Sequence, residues 1–342
     1  MKLSVVIVNY NNDRVLRDCL QSLPVALDGL DAEVILSDNG SSDGSLDWVR
    51  QNFPHIRILE NGANLGFAEA NNRAFPIVQG DYILLLNPDT VVQNDAFRPM
   101  MELLEKRPEA GAVGCKLLNA DGSRQLSTHA FPRLSTYGYH LLGLSDRFPE
   151  SRRFGRSNMT YWDGDDTREV DWVSGAALMI RREVLEATGG IDSYFFLTYD
   201  EVDWCHRIRK AGYQIWYTPE GVVVHLDRQS EPQSNPKPEG RLKYMTVERN
   251  SRVRYFVKHH GALYAFLVEA EQVVLCGLLW LKARTLGTKQ DPIETMEHGL
   301  MVTLYWRTAL RIPKACYYAL LRGLGGRTRY PLFVNPYTEE LG

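Results

Sequence analysis

The feature that most constrains this chain is an alternation of two periodicities. Apolar runs that end abruptly in polar residues take turns with stretches whose apolar residues recur at helical spacing. LSVVIVNYNN, residues 3–12, is apolar to Val8 and then gives Asn9 and Tyr10. DRVLRDCLQSL follows, with Val15, Leu16, Cys19, Leu20 and Leu23 on one helical face. AEVILSDNGSSDGS, IRILE, DYILLLNPDT and GAVGCKLL continue the strand series to residue 118, separated by SLDWVRQNF, NLGFAEANNRAF and DAFRPMMELLEKRP. Runs this apolar read as strands buried on both faces. Their alternation with helices predicts an α/β fold: a mostly parallel, Rossmann-like sheet with helices on both sides. Ligands of such sheets bind beyond the carboxyl ends of the strands. Asn9, Tyr10, Asp38, Asn39 and Asp89 cluster at those ends.

Beyond residue 125 the pattern loosens. Residues 126–170, rich in Arg, Ser, Tyr and Gly, read as a long functional loop. VDWVSGAALMIRREVLEATGGID gives a strand, a helix and a Gly189-Gly190 stop. YDEVDWCHRIRKAGYQIWYTP gives an acidic-ended helix, a Gly212 cap and a strand, and VVVHLDRQS a strand ending in His225. EPQSNPKPEG, residues 231–240, reads as a linker before a C-terminal helical region, 241–342. The expected catalytic domain is 1–230, with one half at about 1–118 and another at about 170–230.

Composition narrows the class. The formal net charge of −3 argues against a nucleic-acid binder. It conceals an asymmetry: residues 241–342 carry 15 Lys+Arg and 8 Asp+Glu, which leaves 24 and 34 for residues 1–240. The five cysteines are far apart and form no CxxC, which fits reduced thiols of a cytosolic protein. The N-terminus carries no signal-peptide pattern, and no apolar run reaches the ~18–20 residues that span a bilayer. Neither GxGxxG nor GxxxxGK[ST] occurs.

Each chemistry-bearing cluster has two readings. Asp89 in Asn-Pro-Asp-Thr is a turn residue or a hard oxygen ligand for Mg²⁺ or Mn²⁺. His225 is a structural strand residue or a ligand beside it. Asp200, Glu201 and Asp203 begin a helix, where acids favour the macrodipole. Three carboxylates in four residues exceed what capping requires, and their repulsion would raise at least one pKa, as suits a general base. Asp38 forms a turn or accepts the imide N–H of a pyrimidine base. NLGFAEANN is a glycine turn or a helix start whose N–H groups meet phosphate or ribose.

Taken in order, VNYN, SDNGSSDGS, NLGFAEANN, LLLNPDT, WVSGAALMIRREVLEATGGID, YDEVDWCHRIRKAG and VVVHLDRQS resemble the family-two inverting glycosyltransferases, above all bacterial rhamnosyltransferases of surface-polysaccharide synthesis. The resemblance covers residues 3 to about 230. It implies an A-type glycosyltransferase fold acting on a nucleotide sugar with Mg²⁺ or Mn²⁺. Asp38 matches the base-reading position, and Asn9, Tyr10, Asn64, Gly66 and Asn71 match nucleotide-pocket segments. Asp89 matches the last residue of the metal-binding Asp-x-Asp motif, and His225 the late histidine that reaches metal or diphosphate. Asp200-Glu201 matches the acidic pair whose second member is the base. Trp172, Gly175, Asp203 and Trp204 fall where the acceptor is expected. Two positions depart from the pattern: Asn87 replaces a frequent carboxylate and Arg228 a common glycine.

The implied reaction is inverting transfer of L-rhamnose from dTDP-rhamnose to a lipid-diphosphate-linked saccharide at the cytoplasmic face of the membrane. A UDP-sugar donor (GlcNAc, glucose or galactose) is the alternative. A sugar-nucleotide pyrophosphorylase would want a basic glycine-rich N-terminal loop, which VNYNNDRVL lacks. A non-catalytic sugar-binding or scaffold protein on the same fold is the reading of another class. Residues 262–286 and 299–322, apolar with aromatic and basic residues, read either as helices packing on the core or on a second subunit of a homo-oligomer, or as helices lying on an anionic leaflet.

Overall fold

The computed structural model describes residues 2–195, 198–226 and 238–286. The chain forms two compact units, residues 1–131 with 162–242 and residues 132–161 with 243–342. The expected division near residue 230 therefore shifts, and a mid-chain excursion, 132–161, groups with the C-terminal helices.

The first unit opens with β1 (Lys2–Asn9), α1 (Asp13–Ala26), β2 (Asp31–Asp38), α2 (Ser45–Asn52), β3 (Arg57–Glu60), α3 (Gly66–Ala74) and β4 (Tyr82–Leu86). A short β5 (Thr90–Val92) precedes α4 (Phe97–Lys106) and β6 (Ala110–Leu118). Two-residue strands follow, β7 (Arg124–Gln125) and β8 (Thr128–His129). The excursion holds α5 (Leu134–Leu141) and α6 (Leu144–Arg147). The first unit resumes with β9 (Arg168–Val170), β10 (Trp172–Val173), β11 (Ala177–Arg181), α7 (Arg182–Thr188), α8 (Asp200–Lys210) and β12 (Gln214–His225). The last two helices are α9 (Pro238–His260) and α10 (Ala262–Leu286).

The main sheet runs β3-β2-β1-β4-β11-β6-β12-β5, with β7 on β6 and β9 on β12. Its first four strands are parallel, as the alternation predicts. The second half is mixed: β11 lies antiparallel to β4 and β6, β12 parallel to β6, and β5 antiparallel to β12. Apolar runs report burial and are silent about direction, so this reversal has no signature in the sequence.

Alternation along the strands sends side chains to both faces. Leu3, Val5 and Ile7 of β1 join Val34 and Leu36 of β2 in one cluster with Leu16, Leu20 and Leu23 of α1 and Phe97, Met100 and Leu104 of α4. Ile35 and Ser37 point the other way, where Ser37 Oγ donates to the Ala70 carbonyl of α3 at 2.9 Å. Helices thus cover both faces. Each fully buried Leu, Ile or Phe here contributes about 1.5–3 kcal/mol.

In the second unit, α5 meets α10: the Leu134 N–H donates to Tyr264 Oη at 2.9 Å. Glu269 of α10 is buried and ion-paired to two α9 arginines, Arg249 at 2.9 Å and Arg252 at 2.8 Å. The stretch Ala262–Lys282 is long and apolar enough to cross a membrane by length and composition, contrary to the sequence reading. Glu269, Glu271 and Gln272 interrupt this stretch as an apolar run. Residues 299–322 lie outside the described residues.

Candidate active site

The carboxyl ends of β1, β2 and β4 lie side by side because their registers align: Asn9 faces Asp38, and Ile7 faces Leu86. Above them opens a cavity of about 350 Å³, within the range of small-molecule sites. Tyr10, Asn12, Asn39, Asn64, Gly66, Asn87, Gly175, Asp200, Glu201 and His225 reach it from seven segments of the first unit.

At the β1–β2 end, Asp38 shows the first of its two readings, turn formation. It is buried, and its carboxylate is consumed in shaping the loop that follows. Oδ2 accepts from the Gly40 and Ser41 N–H groups at 3.0 and 2.9 Å, and Oδ1 from Asn9 Nδ2 at 3.0 Å and Ser41 Oγ at 2.6 Å. Asn9 is buried as well and ties Asp38 to Ser41 and Ser45. The next residue, Asn39, lines the cavity. Asn39 is held by Gly66 O at 3.2 Å and Asn64 Oδ1 at 3.4 Å, while its own Oδ1 accepts from Asn61 at 3.0 Å. Gly66 starts α3 at φ +80°, a left-handed conformation that favours glycine, and Asn64 Oδ1 accepts its N–H. Asn71 is wholly buried and donates to Phe67 O one turn back, so it supports α3 rather than facing the cavity.

At the β4 end the chain leaves the sheet at Asn87-Pro88 and re-enters at β5, antiparallel to the last residues of β12. Thr90 is registered with His225, and Leu226 N–H donates to the Asp89 carbonyl at 2.9 Å. This return is what brings two residues 136 positions apart together: His225 Nε2 lies 3.3 Å from Asp89 Oδ1. Asn87 Nδ2 is 3.4 Å from the same nitrogen. A carboxylate oxygen and an imidazole nitrogen converging at such a distance form a donor set that fits a divalent ion in part. Among the described residues no group of three or more His, Cys, Asp and Glu side chains is disposed to hold a metal. Mg²⁺ and Mn²⁺ draw their remaining ligands from water and phosphate oxygens, so two protein ligands suffice.

Opposite, α8 presents its N-terminus to the cavity. Tyr199, at φ +71°, turns the chain into the helix, so that Asp200 and Glu201 arrive together. Burial pushes both carboxyls above the usual range. Glu201 is raised further by the Asp200 charge beside it and by their shared hydrogen bond, and is lowered in part by the Gly175 backbone. The position at a helix N-terminus favours the anionic forms, but burial outweighs it. The pair therefore holds a proton tightly, and Glu201 becomes a stronger base than a solvated glutamate.

Three residues expected at the acceptor lie off the cavity. Trp204 is fully buried, packs on Phe75 at 5.7 Å and donates to Gly189 O at 3.1 Å. Asp203 is fully buried and bonds Arg207 at 2.8 Å, and Arg207 also clamps Thr188 O and Gly190 O. One helical turn along α8, these groups anchor it to the Gly189-Gly190 segment. Trp172 stacks on His129 at 4.0 Å and donates to Ala130 O at 3.2 Å. Gly175 alone of the four lines the cavity. Ser174, within the Trp172–Ala176 stretch expected at the acceptor, lines it too, as do Asn12, expected only as a helix cap, and Phe67, which nothing in the sequence singles out. The place of Phe67 next to Gly66 was the only available signal.

The glycosyl transferase family 2 model matches residues 4–189, more than half of the chain. Asp200, Glu201 and His225 lie beyond the matched stretch. The chain is 32% identical over 237 residues to N-acetylglucosaminyl-diphospho-decaprenol L-rhamnosyltransferase of Mycobacterium tuberculosis, covering 65% of this chain and 75% of that protein. It is 25% identical over 231 residues to rhamnosyltransferase WbbL of Escherichia coli, covering 65% and 82%. Among solved structures it resembles GalNAc-T7 with UDP, GalNAc and Mn²⁺, at a TM-score of 0.51 and 16% identity, over 75% of this chain and 51% of that one; this likeness concerns the fold. An A-type glycosyltransferase sheet, a polar cavity at its strand ends and these relatives lead to one conclusion: the chain belongs to glycosyl transferase family 2 and is a glycosyltransferase.

Proposed function

We propose that the protein transfers L-rhamnose from dTDP-rhamnose, with inversion, to a lipid-diphosphate-linked saccharide during cell-surface polysaccharide synthesis. The observation that carries the inverting reading is the placement of Glu201: a carboxyl made more basic by burial shares one cavity with His225, whose Nε2 lies 3.3 Å from the buried Asp89, a pair suited to a metal-bound diphosphate. Glu201 takes the proton of the acceptor hydroxyl as that oxygen attacks the anomeric carbon. The bond to the nucleoside diphosphate breaks on the opposite face, so one displacement inverts the centre. Asp200 keeps Glu201 basic. Tyr10, Asn39, Asn64 and Gly66 receive the nucleotide, and Asp38 shapes the loop beside the base. Ser174 and Gly175 flank the acceptor. Asp89 and His225 would hold Mg²⁺ or Mn²⁺, which when bound neutralises the leaving diphosphate.

The choice of sugar and acceptor follows the two rhamnosyltransferase relatives. Such an acceptor places the reaction at the cytoplasmic face of the membrane, with the enzyme attached peripherally. The second unit supports attachment. Leu263, Leu267, Val274, Leu278 and Leu281 are all exposed and fall within about 60° of one another around α10. Leu142 of the excursion shares an apolar groove with Leu267 and Val274. Residues 132–161 carry five arginines against Asp146 and Glu150, and Arg147 and Arg153 lie over Phe148 and Tyr139. An apolar stripe edged by arginine and aromatic rings suits an anionic leaflet.

The test is turnover of a panel of dTDP- and UDP-sugars by purified protein with Mn²⁺ and a lipid-diphosphate-linked acceptor. dTDP-rhamnose should be consumed far faster than any UDP-sugar. Preference for a UDP-sugar would replace the donor, and binding without turnover of any would leave a sugar-binding protein.

A further inference from the structure

His225 can ligate a metal ion on the diphosphate side of the cavity only if its outward nitrogen carries a lone pair, and a chain of hydrogen bonds reaching it from the β6–β7 turn decides this. The turn is closed by Gly122 N–H to Asn119 O at 2.9 Å and Asn119 N–H to Ser123 O at 2.8 Å. At its tip Asp121 is solvent-exposed and ionised, its pKa lowered by the Ser123 hydroxyl and N–H. A carboxylate only accepts, so Ser123 Oγ must donate to Asp121 Oδ1, at 2.5 Å. Its hydroxyl hydrogen is thereby used, and Ser123 Oγ accepts from Asn119 Nδ2 at 2.9 Å. The Asn119 amide is thus oriented with Oδ1 toward Gln125, whose Nε2 donates to it at 3.1 Å and also approaches His225 O at 3.5 Å. The Gln125 amide is oriented in turn. Its Oε1 faces His225 Nδ1 at 2.8 Å, and an amide oxygen can only accept. His225 therefore carries its hydrogen on Nδ1.

We propose that Gln125 is a positioning residue: it fixes the His225 tautomer so that Nε2, beside Asp89, presents a lone pair to the cavity. The inference extends the reading of Asp89 and His225 as metal-holding residues and rests on it for its affinity arm. Asn87 completes the arrangement. Its Nδ2 faces Nε2 at 3.4 Å, and an amide NH₂ can only donate, so it too requires an accepting Nε2. The Asp89 carboxylate, 3.3 Å from Nε2, draws a hydrogen toward that nitrogen, and a second carboxylate at position 87 would add to the pull, so Gln125 and Asn87 act against it. Asn87 in place of a frequent acid and the relay through Gln125 thus serve the same tautomer. A neighbour that fixes the tautomer and orientation of a ligating histidine changes metal affinity by about 10–100-fold when it is lost.

The experiment is ¹⁵N NMR of histidine-labelled protein, with His225→Gln identifying the resonance, joined to Mn²⁺ titration by electron paramagnetic resonance in the presence of dTDP. Wild type should show His225 protonated at Nδ1 and bare at Nε2. Gln125→Leu should show a mixture of tautomers and a Mn²⁺ affinity about tenfold or more weaker. Gln125→Glu, whose carboxylate still accepts from Nδ1, should restore the wild-type tautomer. Melting temperatures close to wild type keep the comparison free of misfolding. A hydrogen on Nε2 in wild type, or an unchanged tautomer in Gln125→Leu, would overturn the proposal. Absence of Mn²⁺ binding by wild type would instead overturn the metal reading, and the NMR arm would still decide the role of Gln125.

Discussion

Replacing Glu201 with glutamine separates chemistry from architecture. The amide keeps the volume and part of the hydrogen bonding of the side chain but cannot take a proton from an acceptor hydroxyl. General-base catalysis is worth about 10²–10⁴-fold, or ~2.7–5.4 kcal/mol at ~1.36 kcal/mol per decade. The donor side is built from other segments, β1, the β2 loop and the start of α3, so the KM for the nucleotide sugar should stay within about twofold of wild type. Stability should move the other way. Glu201 has a folded-state pKa raised above the ordinary 4.5 by burial and by Asp200. The folded protein thus binds that proton more tightly than the unfolded chain, and wild-type stability falls as pH rises from 4.5 through the folded value. Glutamine has no proton to lose. The variant should melt above wild type, by a margin that grows with pH and then levels off. Nucleoside diphosphate release gives kcat and KM, and a melting series across pH gives the stability arm. A rate near wild type would refute the base assignment. A collapse of the melting temperature at neutral pH would show that Glu201 holds the fold.

The other predictions concern its neighbours and the second unit. Asp200→Asn removes the charge that helps raise Glu201, so the acid limb of kcat/KM should shift to lower pH, as a pH–rate profile would show. Arg207→Ala takes the salt-bridge partner from a fully buried Asp203 and should cost about 3 kcal/mol in denaturant unfolding. Vesicle flotation should retain wild type on anionic but not on neutral vesicles. Arg152→Glu with Arg153→Glu should weaken that retention, each lost cation being worth about 1 kcal/mol; unchanged flotation would sink the leaflet reading.

Much of the first unit was legible because local signals and tertiary placement agree there. β1, β2 and β4 are apolar runs whose polar ends mark the cavity, and Val15, Leu16, Cys19, Leu20 and Leu23 all face the core from α1. What escaped the sequence depends on geometry at the scale of single side chains. Asp38 and Asn39 are adjacent, and only the loop after β2 decides that the acid is consumed by backbone N–H groups while Asn39 lines the cavity. Trp204 and Asp203 have the chemistry of acceptor contacts, but helical rotation along α8 turns them into the core. The three-residue β5 is too short to carry a periodicity, yet it seats Asp89 against His225. Gln125 lies in a two-residue strand within a stretch without repeat or motif, so nothing in the chain pointed to it. Residues 126–170 read as a loop in the sequence because the helices they contain, α5 and α6, of eight and four residues, are too short to show a stripe.

The central claim is a single displacement across one cavity, base on one side and leaving group on the other. The anomeric configuration of the first-formed product, read by ¹H NMR before any mutarotation or further transfer, tests it most directly. The account predicts a configuration opposite to that of the donor. Retention would contradict it, since two displacements would require an α8 carboxylate to bond to the anomeric carbon itself, on the face opposite the leaving group, instead of taking the proton of the acceptor hydroxyl.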